Sequence, residues 1–342
     1  MLDLVAGSLL SPAILCFLLG GFAALLRSDL KLPEPVFAAL ALYLMLSIGL
    51  KGGGELAERS FEEIAAPVAA ALVLGCAIPL WCYAILRRFM GLPVADAAAL
   101  AAHYGSVSAV TFAAVTSLLS QQGVPFEGYA AALLAIMEVP GIVVALGLAG
   151  LSAAASRAVG VSASGAAVLG GSAPAWRDSS GLSAVLSQVL SSKSIVLLAG
   201  GLAIGAIAGK DGIAPVKPFF VDLFAGVLCL FLLDLGRVAA SHLGDFRQVG
   251  LRLAGFAIAM PVLHAALGIA AAWAAGMSEG GAVVLATLAA SASYIAAPAA
   301  VRMALPEANP GYYLTCSLAI TFPFNIVVGI PLYQAMAANV YG

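Results

Sequence analysis

Ten apolar runs, each long enough to cross a bilayer as a helix, follow one another along this chain with short polar breaks between them. A crossing helix needs roughly 20 mainly apolar residues, so such a succession leaves little else for the chain to fold into. Only 9% of residues are charged and 63% are hydrophobic, whereas a soluble domain carries roughly 25% charge. Too few polar side chains remain to cover a water-facing surface, which excludes a soluble enzyme, a nucleic-acid binder and a disordered scaffold. A membrane β-barrel would show alternating segments of about ten residues; these runs are continuous and rich in Ala and Leu. The sequence therefore predicts an all-α integral membrane protein.

The predicted spans are 8–26, 34–50, 64–86, 94–120 and 128–151, then 190–208, 217–236, 249–275, 279–304 and 311–337. Between the halves lies a Ser-, Ala- and Gly-rich stretch, 152–189, too broken to span and read as a flexible connector, with room for a short interfacial helix. The halves 1–151 and 190–342 resemble each other. Pro35, Gly128-Tyr129 and Pro140 recur as Pro218, Gly311-Tyr312 and Pro323 at a constant offset of 183 residues, and "SPAILCFLLGGFAALL" echoes "SKSIVLLAGGLAIGAI". Five spans per repeat is an odd number, so the second copy is expected upside down, as in secondary transporters.

With the N-terminus outside, eleven basic residues face inward and four (Lys51, Arg59, Lys210 and Lys217) face outward. The positive-inside bias then places both termini outside and the connector in the cytoplasm, in an inner (plasma) membrane. Asp3 and the lack of a basic leader argue against a cleavable signal peptide. The five cysteines fall inside apolar runs without metal spacing and read as small buried hydrophobes.

Chemistry is expected where spans four and nine are interrupted. "AAHYGSVSAVT" sets Gly105, Ser106 and Ser108 at membrane depth, and "AASASYIAAP" sets Ser291, Ser293 and Tyr294 there, before Pro298. Gly and Ser favour unwinding, and Pro298 removes a ladder donor. Non-helical backbone survives at this depth only where protein or a wet cavity satisfies it. Two inverted repeats would aim both second-half N-termini, each with about half a positive charge, at one point, and so bind a small anion. Carbonyls and hydroxyls beside it would suit Na⁺. The competing account has the serines bonding to the preceding turn and merely bending the helices.

Glu138 lies near the bilayer centre, where a carboxylate is costly, and reads as part of a cation or proton site or else as a protonated, packed carboxyl. Its repeat counterpart, Thr321, and nearby Asn325 are candidate partners in a cation site. His103 is readable as a proton carrier or as a packed histidine, while His264 and Asp234 are read as structural. Glu55, Glu58, Glu62 and Glu63 read as a solvated turn. Gly201, Gly205 and Gly209 form a small-xxx-small row for close helix packing, within a protomer or between subunits. HExxH, the Walker P-loop and GxSxG are all missing, so the parts for hydrolysis, ATP-driven pumping and serine catalysis are not there. An intramembrane enzyme would need a second reactive group at the depth of Glu138, and a passive channel would not concentrate substrate.

"GSVSAVT", "SASYIAAP" and "ALPEANPGYYLTCSLAITFPFNIVVGIPLY", with "PAILCFLLGG", "LMLSIGLKGG" and "IMEVPGIV", resemble the SbtA-type sodium-dependent bicarbonate transporters over nearly the whole chain outside the connector. The resemblance implies ten transmembrane helices as two inverted five-helix repeats with crossed broken helices four and nine. It also implies a core domain (helices 3–5 and 8–10), a gate domain (helices 1–2 and 6–7), a homotrimer and elevator-like Na⁺-coupled bicarbonate symport. Carried onto this chain, the anion site is Gly105, Ser106, Val107, Ser108 and Thr111, facing Ser291, Ser293, Tyr294 and Ile295. Beyond Na⁺ as coupling ion no cofactor is expected; the partners are bicarbonate, Na⁺, lipid and a PII-like regulatory protein. The pattern has aspartate where this chain has Tyr294 and Glu138, and the connector is shorter than in cyanobacterial members. A proton- or Na⁺-coupled carrier of another small anion or carboxylate is the second reading.

Overall fold

The structure, a computed structural model, describes residues 10–164 and 186–342, and every regular element among the described residues is helical. The first half builds α1 (Pro12–Leu25), α2 (Glu34–Leu56), α3 (Phe61–Arg88), α4 (Val94–Gly105), α5 (Ala109–Gln121), α6 (Ala130–Glu138) and α7 (Pro140–Ser164). The second builds α8 (Lys193–Ile213), α9 (Phe224–Ser241), α10 (Phe246–Ala274), α11 (Glu279–Ala290), α12 (Ala296–Ala304) and a long last helix, α13 (Pro310–Tyr341). Helix starts follow the local sequence. Ser11, Ser60, Ser192 and Ser278 cap α1, α3, α8 and α11 by accepting the amide three residues on, satisfying a donor that the helix itself cannot. Helix α13 contains two π-helical stretches, Thr315–Thr321 and Asn325–Gly329, flanking Pro323.

Among the described residues, eight helical stretches are long and apolar enough to cross a membrane, α4 and α5 together forming one of them, and two shorter apolar helices, Pro12–Leu25 and Glu279–Ala290, accompany them. The second of these is short because span nine is unwound after Ala290. Large apolar side chains such as Phe22, Val73, Ile207 and Trp273 are exposed around the outside, as lipid contact requires. By contrast, the central part of the stretch Val94–Gln121 is buried inside the protein. Helix α7 runs to Ser164, well into the stretch expected as connector; residues 165–185 of that stretch lie outside the described residues.

Helices α2 and α8 pack together along their length through the glycine row. A Cβ on Gly201 would sit 3.0 Å from the Gly49 Cα, and one on Gly205 would sit 3.0 Å from the Gly53 Cα. Beyond them Lys210 reaches Glu58 at 2.6 Å and Glu55 at 3.2 Å. Gly49–Gly201, Gly53–Gly205 and Glu58–Lys210 share one register of 152 residues, so the two helices run parallel. The row thus packs within the protomer. Gly209 does something else: its φ of 64° interrupts α8, a conformation that costs glycine little.

Candidate functional site

The two unwound segments meet. Helix α4 ends at Gly105, Ser106 is extended, and Ser108 opens α5 by accepting the Thr111 amide at 3.2 Å. In the other segment Ser291 is extended and residues 291–295 lie outside any helix. The Ser108 amide donates to Ser291 Oγ at 2.8 Å, and that hydroxyl donates to the Leu288 carbonyl at 2.7 Å. Ser108 and Ser291 are 183 residues apart, the offset of the two halves. From the other side, the Ser293 amide donates to the carbonyls of His103 (2.8 Å) and Ser106 (3.1 Å), and Ser293 Oγ accepts the Ala297 amide at 3.2 Å. Each break therefore satisfies backbone groups that the other leaves open, as buried backbone requires.

Pro298 sits in the first turn of α12. Its missing N–H falls where a helix has no acceptor for it, so it starts a helix where the sequence suggested that it would interrupt one. The unwinding itself is carried by Ser291 to Ile295.

Beside the junction is a cavity of about 140 Å³. Of the expected anion-site residues, Val107, Ser108, Ser293, Tyr294 and Ile295 line it, and so does Glu138. Gly105, Ser106, Thr111 and Ser291 are not at its wall. Gly105 is packed against Gly141 and Pro79, Ser106 donates to the Glu138 carbonyl at 2.9 Å, and Thr111 and Ser291 serve the hydrogen bonds given above. The Ala109 and Val110 residues of the α5 first turn also line the cavity; amides at such positions lack a partner within their helix.

Two buried polar atoms at this wall lack a hydrogen-bond partner: Glu138 Oε2 and the Tyr294 hydroxyl, which lies near Ser108 without making a regular bond to it. The Tyr294 ring is held edge-on to Phe322, with centroids 5.2 Å apart. Lys193 and Ser194, at the start of α8, complete the polar lining. Neither was singled out as a site residue from sequence, where Lys193 counted only as a flanking charge. The signal available was its place directly after the Ser192 cap at the mouth of a span.

Thr321 and Asn325 do not join Glu138. Thr321 donates to the Ala257 carbonyl (2.7 Å) and accepts from Tyr104 (2.6 Å). Asn325 donates to the Ala290 carbonyl (2.9 Å) and accepts from Tyr333 (2.7 Å). Both are buried and hydrogen-bonded, and no hydrogen bond joins either to Glu138. His103 is packed: its Nδ1 donates to the Ala99 carbonyl at 2.7 Å and its ring stacks on Tyr313 at 4.5 Å. His264 accepts from Trp81 Nε1 at 2.9 Å, another pair 183 residues apart. Asp234 accepts from Arg237 (2.8 Å) and the Leu32 amide (3.2 Å), holding the loop before α2.

A second cavity, of about 330 Å³, continues along the same elements. Along α2 the smaller cavity reaches Leu44 and Met45, and the larger begins at Ser47 and ends at Lys51 and Gly52. Along α5 the smaller holds Ala109 and Val110, and the larger holds Phe112, Ser117 and Gln121. Two stacked voids with unwound backbone between the helices that wall them suit a small solute, and residues 12–338 match the family model of the Na⁺-dependent bicarbonate transporter superfamily. The chain belongs to that superfamily. No curated protein matches it. Membership makes this multi-pass membrane protein a transporter and not an enzyme. The superfamily takes its name from Na⁺ and bicarbonate.

Proposed function

We propose that the chain is a secondary active symporter that takes up bicarbonate with Na⁺ by elevator-like alternating access. One observation carries this reading: the two breaks, joined through Ser108–Ser291 and through Ser293 to His103 and Ser106, border a single cavity beside the Glu138 carboxyl. A void of about 140 Å³ has room for a four-heavy-atom anion with water, each water needing about 30 Å³. The anion lies against the Ala109 and Val110 amides and the Ser108 and Tyr294 hydroxyls, so the α5 dipole supplies the positive field. Glu138 takes the cation. Thr321 and Asn325 hold the α10–α13 contact and the end of α11 in place, a positioning role.

The architecture behind this reading is ten crossings in two inverted repeats. Parallel packing of α2 on α8 agrees with it, because the second and sixth crossings of an alternating series run the same way. Ser108–Ser291 and Trp81–His264 support it too, since equivalent residues meet only on a two-fold axis. The breaks then belong to a core of helices 3–5 and 8–10 that moves against a gate of helices 1–2 and 6–7. We place both termini outside and the connector in the cytoplasm of an inner (plasma) membrane, with three copies in the assembly.

Reconstituted vesicles should concentrate labelled bicarbonate only under an inward Na⁺ gradient. Uptake indifferent to Na⁺ would remove the coupling, and flux that never exceeds equilibrium would make the protein a channel. Tyr294 favours a second reading: with a phenol in place of the family's aspartate, Glu138 is the sole carboxylate at the cavity wall among the described residues. A proton- or Na⁺-coupled carrier of another small anion or carboxylate follows from that. A matrix of Na⁺ against pH with competing anions separates the two.

A further inference from the structure

We propose that Lys51 and Lys193 are paired anion-gathering residues, one at each end of the permeation route, that set the anion's rate of entry from their own side. This rests on the reading of the chain as a small-anion carrier. The two cavities are consecutive along α2, and each is lined by one lysine: Lys51 in the larger and Lys193 in the smaller. The parallel α2–α8 register of 152 residues puts Lys193 level with position 41 of α2. Ten residues, or about 15 Å of helix at 1.5 Å per residue, therefore separate it axially from Lys51. Both lysines are exposed, and among the described residues neither forms an ion pair.

Their neighbours separate them from the other basic residues. Lys210, farther along the Lys51 end, is neutralised between Glu55 and Glu58. Among the described residues no Asp or Glu lines the larger cavity; its remaining polar lining is hydroxyls and the Gln121 amide, with Phe126 under the ammonium at 5.9 Å. In the smaller cavity the only acid among the described residues is Glu138, deep at the junction. A single positive charge at the mouth of a cleft with low-dielectric walls focuses its field inward and raises the local concentration of an anion. The anion is then passed from ammonium to helix amides, a weaker positive field that releases it again.

The test uses the full-length protein in right-side-out and inside-out membrane vesicles, with Na⁺ and bicarbonate fixed and inert salt varied. K51Q should raise the KM for bicarbonate several-fold in one vesicle orientation only, and K193Q in the other only, with Lys→Arg restoring the wild-type value. The effect should be large at about 10 mM salt and fall within twofold at about 1 M, where the screening length is about 3 Å. Salt-insensitive shifts, equal shifts in both orientations, or no shift in either variant overturn the proposal. A second measurement does not depend on transport. Single cysteines at Ser120 and Ser194 are labelled with an anionic and a cationic methanethiosulfonate reagent. K51Q should lower the anionic-to-cationic rate ratio several-fold at Ser120→Cys, and K193Q should do so at Ser194→Cys; unchanged ratios overturn the gathering role. If wild-type protein moves no bicarbonate while the ratios fall as stated, the transport reading fails and the lysine assignment stands.

Discussion

Glu138 and Tyr294 both line the small void, and Glu138 Oε2 and the Tyr294 hydroxyl make no hydrogen bond, so their variants separate function from folding. Tyr294→Phe loses no hydrogen bond and keeps the edge contact with Phe322; thermal stability in detergent should change by less than about 1 kcal/mol, while bicarbonate KM rises. Glu138→Gln keeps the volume and removes the charge. Its uptake should lose dependence on Na⁺, and Na⁺ should no longer raise its melting temperature; retention of both effects would put the cation elsewhere. Ser291→Ala is different in kind, because it strips the acceptor from the buried Ser108 amide, at a cost of about 1–3 kcal/mol, and should lower melting temperature and transport together. Ser106 is fully buried with its hydroxyl on the Glu138 carbonyl, so a bulky substitution there breaks packing before it tests binding.

At the scale of elements, the α2–α8 pair depends on close backbone approach at Gly49, Gly53, Gly201 and Gly205. Without a hydrophobic drive between helices in lipid, such packing and its van der Waals contacts hold them together. Gly205→Leu forces a side chain against Gly53 and should reduce the yield of folded protein sharply, with a loss of about 1–3 kcal/mol or more from overpacking; Gly200→Leu, where nothing lies within 4 Å of the added carbon, should be tolerated. Both breaks were legible in the sequence because Gly and Ser at membrane depth have few other uses. The contact between Ser108 and Ser291 was implicit in the offset of 183 but needed the fold to bring two distant segments together. Thr321 and Asn325 misled because position within a span says nothing about which neighbour a hydroxyl or amide meets; here Ala257, Tyr104, Ala290 and Tyr333 claim them. Lys193 was hidden for the opposite reason: charges flanking spans are ordinarily read for topology alone.

For the molecule as a whole, the two cavities lie end to end along α2 and α5, with the paired breaks bordering the smaller one. A fixed channel would let a small ion pass between them in a single state. An alternating carrier must instead close one void as the other opens, because α2, α5 and α9 wall both and move as rigid helices. The two designs give opposite results in one experiment. With Cys76, the one exposed native cysteine among the described residues, replaced by Ser, Ser120→Cys reports on the larger cavity and Ser194→Cys on the smaller. A membrane-impermeant thiol reagent should reach the first from one side of the membrane only and the second from the other side only. Adding Na⁺ and bicarbonate together shifts the population between states, so it should raise one labelling rate while lowering the other. A ligand favours whichever state it binds more tightly, and reciprocity follows because each void shares its walls with the other. Rates that rise or fall together, or that ignore the ligands, would leave the stacked cavities as a static pore and remove the elevator from the proposed function.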